Sequence, residues 1–80
     1  MFEVVHETRK DGQTPDAQAA PLTSLVLSSK FQTEAKARSA CQGFQAPYDE
    51  RWDEEGRNWF FGRSAKEPGK VSIWYYRPEA

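Results

Sequence analysis

The residues able to do chemistry in this 80-residue chain are few and scattered. There is one histidine, His6, and one cysteine, Cys41, and neither stands at a spacing from a serine or carboxylate that suggests a nucleophile and its base. A lone histidine restricts acid–base work at neutral pH. Together with one cysteine it cannot supply a zinc site, and one cysteine cannot close an intramolecular disulfide. Cys41 falls on the apolar stripe of an expected helix and reads as core. His6 reads as a strand residue with a local hydrogen bond. The acidic run Asp49-x-Arg51-x-Asp53 fails as a calcium loop, because a base takes the third position and Glu54 stands where glycine is required. Asp49 and Glu50 are adjacent, so on a strand they point to opposite faces and cannot pair. No glycine-rich phosphate loop or dinucleotide fingerprint is present. The expectation is a non-enzyme with no cofactor and no metal.

Aromatic side chains are the other candidates for function. Eight of the eleven aromatics (Tyr48, Trp52, Trp59, Phe60, Phe61, Trp74, Tyr75 and Tyr76) fall between residues 48 and 76. Tyr, Trp and Arg are the side chains enriched at binding hot spots. Arg57, Trp59, Phe61 and Arg63 alternate onto one face of an expected strand, and Trp74 and Tyr76 share a face of the next. Rings on both faces of a small sheet, with only one short helix to cover them, imply an exposed aromatic patch. The binding residues expected are therefore Trp59, Phe61, Trp74, Tyr76, Arg57 and Arg63. The structural alternative is that the rings cover one another across strands.

The elements that would position these residues follow from periodicity and turn chemistry. Phe2–Arg9 alternates with β-branched residues and predicts a strand. Residues 10–21 (KDGQTPDAQAAP) hold Asp-Gly and two prolines, which predicts a long flexible loop. Leu22–Ser29 predicts a second strand, with Leu25 and Leu27 on one face and Val26 on the other, antiparallel to the first. Thr33 offers an N-cap to a helix over Glu34–Gln42. Ala37, Ala40, Cys41 and Phe44 form its buried stripe, Glu34 and Arg38 are spaced for an ion pair, and Gly43 suits the left-handed residue that ends it. Strands are expected over Ala46–Asp53, Arg57–Arg63 and Val71–Arg77. The turn between the first two is Glu54-Glu55-Gly56, and Pro68-Gly69 is expected to form a type II turn before the last. The order is ββαβββ. It describes one α+β domain over residues 1–80, an antiparallel sheet of four to five strands with one helix packed on one face.

Composition narrows the function classes. A net charge of −1, with 29% charged residues, excludes a polycation that grips phosphates by charge alone. Charge is nonetheless uneven. Tyr48–Glu55 holds five acids against Arg51, and the next fifteen residues hold Arg57, Arg63, Lys66 and Lys70 against Glu67. Cross-strand pairing of these opposite charges is the simplest account. The alternative is an acidic edge that a basic partner recognises. The N-terminus has acids where a secretory signal needs a basic segment, and no apolar run approaches a membrane span. The expectation is a complete, soluble, cytoplasmic polypeptide beginning at Met1.

The segment SSKFQTEAKARSA (Ser28–Ala40) resembles the strand-to-helix junction of the arm-type DNA-binding domains of phage integrases. It departs from them where the helix begins sooner after Phe31 and where the strands lack a basic surplus, so DNA binding is not carried over. Two functions stand against each other. One is a non-catalytic protein-interaction module that docks on a partner or on a second copy of itself through its aromatic sheet face. Small near-neutral chains of this kind suit phage or mobile-element accessory and inhibitor proteins. The other is a nucleic-acid binder whose sheet rings stack bases while Arg57, Arg63, Lys66 and Lys70 meet phosphates.

Overall fold

The computed structural model describes residues 1–79, apart from the Glu55 side chain. Its elements are β1 (Phe2–Lys10), β2 (Thr23–Phe31), α1 (Glu34–Gln45), β3 (Glu50–Glu54), β4 (Trp59–Arg63) and β5 (Lys70–Pro78). The ββαβββ order is thus observed, and the five strands form one antiparallel sheet in the order β2-β1-β5-β4-β3. β5 docks between β1 and β4. Its pairing with β1 runs unbroken from Phe2 opposite Pro78 to Lys10 opposite Lys70, which ties the two ends of the chain together.

α1 crosses one face of the sheet. Thr33 caps it as expected, accepting a hydrogen bond from the Lys36 amide at 3.2 Å. It runs three residues past the expected end, so Gly43 lies within the helix. The reason is Gln45. Its buried amide group donates to the carbonyls of Trp52 (3.0 Å) and Phe61 (2.9 Å) and to the Asp53 carboxylate (2.9 Å). Those bonds hold the last turn against β3 and β4, and Pro47 stands just beyond the Ala46 cap. The buried stripe is therefore Ala37, Cys41 and Gln45, while Phe44 is 40% exposed. Arg38 pairs with Asn58 at 2.6 Å and lies over the Phe60 ring. Beneath the helix Val4, Phe60 and Trp74 meet Ala37 and Cys41.

The other face carries a second small core of Phe61, Val71 and Ile73, flanked by Trp59 and Tyr75. No helix covers it. The connection after β1 is laid along it instead. Arg9, itself buried, donates to the carbonyls of Ala19 (2.8 Å) and Pro15 (3.4 Å), and pairs with buried Glu7 at 2.7 Å. Asp11 pairs with Arg63 at 2.7 Å and Asp16 with Arg57 at 2.9 Å. The segment expected to be a flexible loop is thus laid as a strap across the second face.

Turn chemistry explains the remaining joints. Gly69 has φ +80° and the Lys70 amide donates to Glu67 at 3.4 Å, as a Pro-Gly type II turn requires. Between β3 and β4 the chain takes a 3-10 turn over Glu55–Arg57, then Asn58 at φ 57°, so β4 starts two residues later than expected. β3 likewise starts four residues later, because α1 and the turn after it occupy the chain as far as Asp49.

Candidate interaction surfaces

The six residues expected to bind do not form one surface. Arg57, Trp59, Phe61 and Arg63 belong to the strap side, and Trp74 and Tyr76 to the helix side. Phe61 is 3% exposed and Trp74 2%, so both are core side chains rather than contact residues. Trp74 is enclosed by the His6 ring, stacked at 4.9 Å, and by the Tyr48 ring edge-on at 4.9 Å. Tyr76 is half-buried against the Phe2 ring.

The arginines of the strap side are already engaged. Arg63 holds Asp11 and Glu50, each at 2.7 Å, and lies 4.9 Å from the centre of the Trp52 ring. The hydrogen bond that it donates to Asp11 and the charges of both carboxylates raise its pKa further. Arg57 holds Asp16 and lies 5.1 Å over the Trp59 ring. Asp16 titrates below its ordinary value, chiefly because the Thr14 hydroxyl donates to it and also because Arg57 is near. Cross-strand charge pairing thus occurs between Glu50 and Arg63, while the strap supplies the other acids. Trp52, omitted from the expected set, stacks on Phe61 at 5.1 Å and is 37% exposed.

The lone cysteine and histidine are engaged in packing. Burial pushes the Cys41 thiol up to about 12, which keeps it protonated and inert at neutral pH. His6 departs from its expected role. Its ring packs flat on Trp74, and Nε2 has no hydrogen-bond partner among the described residues. Burial lowers its pKa, against a smaller opposing effect from Glu67. An open depression is lined by Pro47, Tyr48, Ser64, Lys66 and Glu67, and the Ser64 hydroxyl there accepts from the Lys66 amide at 3.2 Å. Among the described residues no cluster of His, Cys, Asp or Glu could hold a metal ion. No described helix is long and apolar enough to cross a membrane.

The exposed apolar surface lies elsewhere, along β2. Leu25 is 61% exposed and Val26 45%, one on each face of the same strand, with Leu22 exposed just before it. β2 ends the sheet and is nine residues long, so one side of its backbone faces away from β1. From Leu22 to Ser29 it carries no charge. The opposite end of the sheet is β3, whose sequence is Glu-Arg-Trp-Asp-Glu. Charged residues on an edge strand are a common defence against strand addition; β3 has them along its length, whereas β2 has one, Lys30, near its end. The signal was present in the sequence as an uncharged LTSLVLSS run. What alternation alone does not disclose is that this run lies at the edge of the sheet.

Compared with models of protein families, with curated proteins and with solved structures, the chain matches none.

Proposed function

We propose that this chain is a non-catalytic protein-interaction module that docks through the β2 edge by adding a partner strand to its sheet. The observation that carries this reading is the edge strand β2, uncharged from Thr23 to Ser29, with Leu25 and Val26 exposed on its two faces. An open edge supplies backbone hydrogen bonds to an incoming strand, and alternate side chains supply the apolar contact. The docking surface moves from the meander's rings to the far edge of the hairpin, because the rings are spent on the two cores. A cytoplasmic accessory or inhibitor protein of phage type would need only such a surface.

Nucleic-acid binding through the meander gains little support. Arg57 and Arg63 are neutralised by Asp16, Asp11 and Glu50, and Phe61 and Trp74 are too buried to stack on bases.

Affinity capture from a candidate host extract with the wild type, Val26→Lys and Trp59→Ala tests the proposal. Specifically bound proteins should be lost with Val26→Lys and retained with Trp59→Ala. Equal recovery with Val26→Lys and the wild type would remove the β2 edge from the account. Binding to single-stranded oligonucleotides at low salt should be absent.

A further inference from the structure

We infer that the partner strand at the β2 edge can be β2 of a second copy, paired antiparallel about a two-fold axis through Val26. This deepens the reading of β2 as a docking edge and rests on it. The support is a symmetry in the sequence of the strand. Residues 23–29 read Thr-Ser-Leu-Val-Leu-Ser-Ser, a near-palindrome centred on Val26. Antiparallel pairing of two identical strands about residue 26 sets each residue at 26−n against the one at 26+n. Leu25 then meets the partner's Leu27, and the two Val26 side chains face each other, so apolar groups meet apolar groups in a favourable cross-strand pairing. Beyond Leu27 the register shift turns Ser28 to the face opposite Ser24, so the regular pairing is centred on Leu25–Leu27. A strand adapted to an unrelated partner has no need of this symmetry.

Charge points the same way. An isologous interface sets the residues near the axis against the same run of the other copy, and Leu22–Ser29 holds no charge that would meet another there. The β3 edge behaves differently, since self-pairing about Trp52 would set charges together at every flanking position, Glu50 against Glu54 and Arg51 against Asp53 of the other copy. Each copy offers one β2 edge, so pairing through it closes at two copies. The paired run is also short. β2 shifts register against β1 between Val26 and Ser28, and Lys30 has a left-handed φ of 78°, so the strand is irregular beyond Leu27. A single short strand pair buries a small area, in the class of weak and transient interfaces.

Sedimentation equilibrium from micromolar to millimolar protein tests the proposal, with Val26→Lys beside the wild type. The weight-average mass of the wild type should climb from the chain mass of 9.2 kDa toward twice that value. High salt should not reverse it, because no ion pair is involved. Val26→Lys should stay monomeric throughout, with an unchanged far-ultraviolet circular dichroism spectrum. Val26→Cys should form a disulfide-linked dimer under mild oxidation. In an antiparallel pair directly opposed residues sit about 4.5–5.5 Å apart, within disulfide reach. The wild type, whose Cys41 is buried, should not cross-link. A wild type that is monomeric at every concentration overturns self-pairing. So does a dimer that survives Val26→Lys, or one that Val26→Cys fails to cross-link. If self-pairing fails while capture of a foreign protein still depends on Val26, the docking edge stands and only its occupant changes.

Discussion

The two halves of this sheet treat their apolar residues in opposite ways. In the β5–β4–β3 half, the large rings are closed in by α1 on one face and by the strap of residues 11–21 on the other, and the outermost strand is charged. In the β1–β2 half, the outermost strand is uncharged from Thr23 to Ser29 and leaves Leu25 and Val26 in solvent. Aromatic content therefore marks the part of the molecule that builds the fold, and modest aliphatic residues mark the part open to contact. In an 80-residue chain this division is physically reasonable. A small domain buries a limited fraction of its surface, so its largest side chains are needed inside.

The comparison is broken most severely by removing a ring from the closed half. Phe60 is 1% exposed beneath α1, between Val4, Cys41 and Trp74. Phe60→Ala should cost about 3–5 kcal/mol, enough to unfold much of the population, and denaturant melts would measure it. Less drastic is Gly62→Ala. A Cβ there would lie 2.8 Å from Cγ of Tyr48 and 3.0 Å from Cζ3 of Trp74, both ring atoms held in place by packing. Overpacking of this kind should cost about 1–3 kcal/mol.

A milder probe is the pH dependence carried by His6, which sits at the boundary between the halves. Its folded pKa lies below the ordinary 6.5 because burial disfavours the imidazolium. In the window between the two values the unfolded chain binds more protons, so stability rises with pH there. His6 should thus leave stability intact above about pH 6.5 and reduce it as the pH falls toward the lowered folded value. Thermal melts through this range should show the loss, and His6→Phe, which keeps the stack on Trp74, should flatten it. The smallest effect on stability belongs to the open half. Leu25→Ser should change the unfolding free energy by no more than about 0.5 kcal/mol, as expected for an exposed site, while weakening self-association.

Much of the architecture was legible in residue pattern. Alternation located β1 and β2, Thr33 marked the start of α1, and Pro68-Gly69 marked the turn into β5, because each of these signals is local. The misreadings came from long-range contacts. Gly43 resembles a helix terminator, yet three hydrogen bonds from Gln45 to β3 and β4 carry the helix past it. Residues 10–21 have the composition of a free loop, yet Arg9, Arg57 and Arg63 draw them over the second face. The faces of Phe61 and Trp74 were assigned correctly by alternation, but burial depends on what lies above each face, and no period records that. Strand order had the same effect on β2. Its uncharged run acquires meaning only once β5 takes the place beside β1 and leaves β2 outermost.

The difference between the two edges can be observed directly, residue by residue. Amide chemical shifts of the wild type should be recorded from micromolar to millimolar concentration. The account predicts concentration-dependent shifts and broadening along Thr23–Ser28, with Glu50–Glu54 unchanged. Shifts confined to β3, or to the Trp52 and Trp59 indoles, would contradict it.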